Sequence, residues 1–275
     1  MVMRLLDLFS GIGGFSYAAE KLVGGYETVA FCEQDEFCQQ VLRKHWPNVP
    51  IYDDVRTIDA TRLGNIDIVA GGFSCQAVSQ AGLQKATEDD RWLWDEMLRI
   101  IQDCKPRWVI GENVVGLINI NQGILFEQVQ TDLEKEGYSV QSVVIPAASK
   151  NAPHRRDRVW IIAHSNDKRL QGFRQHKQLE REQREDEFAK SSTPTTEHRA
   201  TQCRMGYMAD GISEALFGHF SEEPADIPRV ATNQKDRTKK LKALGNSIVP
   251  QVVAELFYAI RIAEYGEEQR QRRWF

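Results

Sequence analysis

A cysteine, Cys75, sits in the stretch GGFSCQAVSQAG, between a pair of glycines and a run of small polar residues, just after the apolar stretch IDIVA. A thiol attacks carbon as the thiolate, and flanking backbone N–H groups or a nearby cation lower its pKa enough to supply that form. Glu112 stands in GENV, at the end of another apolar run. Partial burial there raises a carboxyl pKa, so the group can donate a proton near neutrality. Arg156 and Arg158 in HRRDRV fall on one side of an extended chain. Their guanidinium forks suit phosphates or a base carbonyl. Each feature also has a plainer reading: a small buried hydrophobe for Cys75, a solvated capping carboxylate for Glu112, an ordinary charged strand entrance for the arginines. Cys32, Cys38, Cys104 and Cys203 take the buried-hydrophobe reading.

A further group of residues suits a cofactor. DLFSGIGGF, residues 7 to 15, lies between a strand-like run and a helical one. Its glycines let the backbone approach a ligand, and the helix start offers free N–H groups to an anion. The spacing departs from G-x-G-x-x-G, so a dinucleotide is not the first choice. Glu33 follows about 20 residues later at the end of the next strand, where a carboxylate can accept both hydroxyls of a ribose. Together they suggest an adenosyl-type cofactor, with a plain tight turn as the alternative for the loop alone.

The elements that must hold these groups alternate. RLLDLF, ETVAFCE, IDIVAGG, PRWVIGEN, YSVQSVVIP and DRVWIIA read as strands, and RWLWDEMLRIIQDC and ILFEQVQTDLEKEG as helices. Alternation of this kind implies an α/β fold with a largely parallel sheet covered by helices on both faces. From about 165 to about 225 the pattern dissolves into polar sequence of mixed charge, an insertion or small lobe that orders on a partner. LKALGNSIVPQVVAELFYAIRIAE then reads as a glycine-marked turn leading into an amphipathic helix.

The chain has 275 residues, enough for one large domain or a domain with an insertion. A net charge of −4 argues against a uniformly basic nucleic-acid coat but allows a local basic strip, for which KDRTKKLK at 235 to 242 is the candidate. With 5 cysteines, no C-x-x-C pair and no long apolar span, the expectation is a reduced, cytoplasmic protein without a metal site.

DLFSGIGGF, CE at 32 to 33, DDV at 53 to 55, GGFSCQAVSQAG, GENV, HRRDRV and LGNSIVPQ, in this order, resemble the motifs of the DNA (cytosine-5) methyltransferases across essentially the whole chain. The resemblance implies a Rossmann-like S-adenosylmethionine-dependent methyltransferase fold, mostly parallel in its sheet, with a small irregular target-recognition lobe. Residues 1 to 164 would form the catalytic and cofactor-binding domain, 165 to 235 the recognition region, and 236 to 275 a C-terminal motif and helix returning to the first. By the same resemblance Phe9, Ile12, Gly14, Glu33, Asp54 and Leu93 line the cofactor pocket, and Asn246 and Ile248 close it. Asp54 would reach the adenine amine and Glu33 the ribose. Cys75 would be the nucleophile and Glu112 its acid partner, with Arg156 and Arg158 holding the flipped base and its phosphates, and Gln76 and Ser79 contacting substrate.

Two positions depart from the family's pattern. Ser74 stands where proline commonly precedes the nucleophile, which loosens the fixed φ of that loop, and His154 replaces a glutamine amide that both donates and accepts. The expected partner is double-stranded DNA, the expected state a monomer, and a cognate restriction endonuclease is compatible with the family. Structured RNA such as transfer RNA is the alternative substrate, and a catalytically silent DNA-binding relative the alternative from another class.

Overall fold

The apolar runs assemble into a 7-stranded sheet in the computed structural model of the chain, which describes residues 2–73, 92–150, 156–166 and 236–266. Ser74, Cys75, Gln76, Ser79, His154 and, of the expected recognition region 165 to 235, residues 167 to 235 lie outside the described residues. The described residues belong to one compact unit, Met1–Asn166 with Asp236–Phe275.

The strands are β1 (Met3–Leu8), β2 (Tyr26–Cys32), β3 (Ile51–Tyr52), β4 (Ile68–Gly71), β5 (Trp108–Val114), β6 (Tyr138–Pro146) and β7 (Asp157–Ser165), in the order β3-β2-β1-β4-β5-β7-β6. Pairing is parallel from β3 through β5, whereas β7 runs antiparallel to both β5 and β6. The reversal follows from chain length. Only residues 147 to 156 join β6 to β7, too few for the crossover that parallel neighbours need.

Successive residues on a strand point to opposite faces, so a sheet covered on both sides must be apolar throughout. Leu6, Leu8, Val69, Val109 and Ile161 pack on one face, with Met97, Ile100 and Ile101 of α3 (Trp94–Cys104) and Val129 and Leu133 of a later helix, Ile124–Lys135. Leu5, Ile68, Ala70, Ile110 and Trp160 pack on the other, with Phe15 of α1 (Gly14–Tyr17) and Ala18 of the π-helical turn Ala18–Val23 that continues it. That face is closed by Val253, Phe257 and Ile260 of the C-terminal helix Pro250–Tyr265. The mostly parallel α/β architecture expected from the alternation is therefore present.

The remaining helices are α2 (Glu36–His45), α4 (Gly116–Asn119), α5 (Ile124–Lys135), α6 (Arg237–Asn246) and α7 (Pro250–Tyr265). The glycine-marked turn thus follows a helix of its own, α6, with Gly245 in its last turn. The stretch Arg237–Tyr265 has the length and hydropathy of a membrane span. It breaks at Ser247, and Val252, Val253, Phe257 and Ile260 are buried on the sheet, as in a core helix.

Cys32 and Cys38 are buried and Cys104 is half-buried, and burial pushes each thiol up to about 12. A thiol so shifted stays protonated and inert near neutrality.

Candidate active site

In an open α/β sheet the ligand crevice forms where neighbouring strands send their connections to opposite sides. Here that point lies between β1, which leads to β2, and β4, which leads to β5. Phe9, Gly11 and Gly13 follow β1 with φ of 53°, 55° and 83°, turning the chain back within five residues. Phe9 holds a conformation that costs an ordinary residue about 1–3 kcal/mol. The turn is over-determined by hydrogen bonds: the Ser10 amide donates to the Cys32 carbonyl (2.9 Å), the Ser10 hydroxyl to the Asp7 carbonyl (2.6 Å), and the Gly13 amide to the Ser10 carbonyl (2.8 Å).

Glu33 stands at the mouth of this turn. Its Oε2 accepts from the Gly11 amide and its Oε1 from the Asp35 amide, each at 2.7 Å, so the carboxylate is fixed at both ends. Each oxygen keeps a further lone pair for a ligand hydroxyl. A Cβ added at Gly11 would meet nothing within 4 Å among the described residues, so the turn is open to them on that side. On the other side the packing is close: a Cβ on Gly14 would lie 2.6 Å from Cγ1 of Ile248. Replacing Gly14 with alanine is therefore expected to displace Ile248 and lower stability by about 1–3 kcal/mol, readable as a fall in the thermal unfolding midpoint; an unchanged midpoint would show that Ile248 gives way freely.

Phe9, Ile12, Gly14, Glu33 and Ile248 thus share one turn and its immediate neighbours. Leu93 is half-buried and packs with Phe9 against the same core cluster. Asp54 caps the 3-10 turn Val55–Thr57, accepting from the Arg56 amide at 3.0 Å. Asn246 is exposed at the last residue of α6.

Beneath the turn lies Asp7, fully buried. Its Oδ2 accepts from the Ser16 amide (3.2 Å) and hydroxyl (2.7 Å), while Oδ1 has no hydrogen-bond partner among the described residues. Burial pushes its carboxyl up from 3.8 to about 7, against the opposing pull of Ser16. The unfolded chain then loses this proton before the folded one does, so the group's contribution to stability falls as pH rises from about 4 to about 7. Asp7→Asn keeps an acceptor for Ser16 but cannot ionise. Its unfolding midpoint relative to wild type is expected to rise across that window, and a constant difference would sink the assignment.

The second group of residues gathers at the carboxyl edge of β4 and β5. Because β7 is reversed, its first residues reach the last residues of β5: Val114 pairs with Arg158, and Glu112 with Trp160. Arg158 and Glu112 therefore occupy one face, and Nε of Arg158 donates to Oε1 of Glu112 at 2.8 Å. Burial pushes the Glu112 carboxyl above its ordinary value, and Arg158 and Arg156 pull it part of the way back.

The chain enters the Cys75 segment beside this carboxyl. A Cβ on Gly72 would lie 3.0 Å from Oε2 of Glu112, and the buried Asn113 donates from Nδ2 to the Phe73 carbonyl at 2.8 Å. The segment's return is held nearby, since the Phe73 ring meets Trp92 edge-on at 6.0 Å and lies 5.2 Å from Trp94. Asn113 is a site residue that sequence reasoning missed. The available signal was an amide in GENV at an inward-facing strand position, where an unpartnered polar group would be costly.

Arg156 departs from the extended reading of HRRDRV. Its φ is 37°, the strand begins only at Asp157, and its guanidinium donates to the carbonyls of Gly245 (2.7 Å) and Ser247 (2.8 Å). A half-open cavity of about 580 Å³ lies between α1, α2 and the turn before α7, lined by Ile12, Tyr17, Lys21, Trp46 and Ile248 among others. It shares Ile12, Gly14 and Ile248 with the glycine turn, whereas Glu33, Asp54 and Glu112 do not line it.

The comparisons with known proteins bear on this arrangement. The family model for C-5 cytosine-specific DNA methylases matches residues 3–212. The chain belongs to that family. Among its relatives, type II methyltransferase M.HhaI of Haemophilus parahaemolyticus is 33% identical over 179 residues, covering 65% of the chain and 54% of the relative. M.Eco47II of Escherichia coli is 35% identical over 170 residues, 60% of the chain and 40% of the relative. The orphan methyltransferase M.Rho11sI of Bacillus phage rho11s is 32% identical over 168 residues, 60% and 33%. The chain thus spans about half, or less, of the length of these curated relatives. The Dnmt2 methyltransferase of S. pombe superposes with a TM-score of 0.52 at 22% identity, over 60% of this chain and 52% of that one, which shows the shared fold.

Proposed function

We propose that the protein transfers a methyl group from S-adenosylmethionine to carbon 5 of a cytosine flipped out of double-stranded DNA. The observation that carries this is Glu112 held by Arg158 beside Gly72 on the backbone leading to Cys75, with Gly71 one residue earlier against Phe9 of the glycine turn that holds Glu33. The donor set fits the cofactor: an open glycine turn for its backbone, a carboxylate fixed at both ends for its ribose, and Ile248 closing the far side of the turn. When bound, the sulfonium supplies an electrophilic methyl group.

The protein's own groups do the rest. Carbon 5 of cytosine is too electron-poor to attack a methyl donor, so the ring must first become an enamine. The Cys75 thiolate adds to carbon 6 while Glu112 gives a proton to N3, which absorbs the charge that would build up on the ring. Arg158 holds the Glu112 carboxyl toward the base. After methylation, loss of the carbon 5 proton expels the cysteine. Stacking hides the base in a duplex, and rotating it out costs a few kcal/mol, offset by phosphate contacts for which Lys239 and Lys240 of the exposed α6 are suited, while Lys242 is held by Asp35 at 3.0 Å.

In this reading residues 165 to 235 recognise the target and 236 to 275 return to the catalytic domain. The enzyme acts as a monomer in the cytoplasm, where DNA is accessible, with or without a cognate restriction endonuclease. The test is methyl incorporation from labelled cofactor into double-stranded DNA and into transfer RNA. Preferential labelling of DNA at cytosine carbon 5 is expected, and a strong preference for RNA would overturn the substrate assignment. Sequencing methylated DNA from cells that express the protein would give the recognition site directly.

A further inference from the structure

The last carbonyls of a helix lack partners within it and attract a cation. At the end of α6 the carbonyls of Gly245 and Ser247 are both met by one side chain, the terminal nitrogens of Arg156 reaching them at 2.7 and 2.8 Å. The residue that follows, Ile248, rests on Gly14 of the cofactor turn. Two residues beyond Arg156 in the other direction, Arg158 holds Glu112. The backbone at Arg156 has a positive φ one residue before β7 begins, and its side chain reaches the end of α6 while its charge still acts on Glu112.

We propose that Arg156 is a positioning residue, a strap that ties the base-binding strand β7 to the Gly245–Ile248 turn closing the cofactor site, so that cofactor and DNA each tighten the other's binding. This rests on the function proposed above. It departs from the sequence expectation that Arg156 clamps the flipped base and its phosphates, because the terminal nitrogens face the protein's own carbonyls. Motion of β7 on receiving a base reaches Ile248 through one guanidinium, and by linkage the coupling is reciprocal.

The test is binding of labelled S-adenosylhomocysteine by equilibrium dialysis, with and without plasmid DNA, to wild type, Arg156→Ala and Arg156→Lys. Wild type is expected to bind more tightly with DNA present. Arg156→Ala should bind about 10-fold more weakly without DNA and lose the tightening. Arg156→Lys, able to reach one carbonyl at a time, should keep part of both. The proposal is overturned if Arg156→Ala binds the nucleoside as wild type does while its DNA affinity falls and its salt slope drops by about one, the signature of a phosphate contact. Should the alanine variant not fold, the lysine variant carries the comparison. If wild type itself takes no S-adenosylhomocysteine, the proposed function fails, and amide exchange judges the strap by itself. Faster exchange at Ser247, Val252 and Val253 in Arg156→Lys, with β5 amides unchanged, supports it, and equal exchange overturns it.

Discussion

Glu112→Gln is expected to lower the rate of methyl transfer about 10²- to 10⁴-fold while leaving DNA binding near wild type, the range typical of removing a positioned general acid. The amide preserves shape and still accepts from Nε of Arg158, so the β5–β7 edge keeps its hydrogen bond and the variant should fold. What it loses is the proton for N3. The pH dependence gives the argument its second arm. Burial raises the Glu112 carboxyl above its ordinary value of 4.5, with Arg158 and then Arg156 opposing. As the acid form is the active one, the wild-type rate should fall as pH rises through that raised value, and thiolate formation at Cys75 should oppose it on the other limb. In the glutamine variant the falling limb should vanish, leaving only the thiol's. Stability follows the same sign: a raised folded pKa stabilises below the unfolded value and is lost as pH rises through the folded one. A glutamine variant as fast as wild type at every pH would remove Glu112 from the chemistry.

The parts of this site that are local in sequence are the parts legible in it. Phe9, Gly11 and Gly13 carry the turn in their own dihedral angles, and Glu33 lies at the end of the next parallel strand, so one βαβ unit brings Glu33 to Gly11. The two-sided sheet was readable because strands apolar throughout leave no solvent face. The Arg158–Glu112 pair is different, because it exists through the reversal of β7, and that depends on the length of a connection rather than on any motif. The extended reading of HRRDRV fails at Arg156 for a related reason. Spacing two apart predicts a shared side only while the chain stays extended, and its φ of 37° ends that condition one residue before the strand. Asn113 and the contact of Ile248 with Gly14 join residues far apart in the chain, which no local pattern can report.

The largest effect is expected at Cys75. Cys75→Ala should abolish methyl transfer, by at least about 10⁴-fold, while cofactor and DNA still bind, because without a nucleophile at carbon 6 the ring never becomes electron-rich at carbon 5. Alanine removes only the sulfur, so an unchanged unfolding midpoint is the control for folding. Duplex DNA carrying 5-fluorocytosine makes the same claim without mutating anything: fluorine cannot leave as a cation, so wild type should stall as a covalent adduct stable to denaturation, and Cys75→Ala should form none. This experiment also decides what Ser74 means. Proline before the nucleophile would fix φ at that position, and serine does not. The described residues on both sides of the segment are held, by Asn113 on the Phe73 carbonyl and by Trp92 and Trp94 packed on the Phe73 ring. A wild-type protein that binds the fluorinated duplex and the cofactor yet traps no adduct would be a silent relative, and Ser74 would then be the first residue to change to proline.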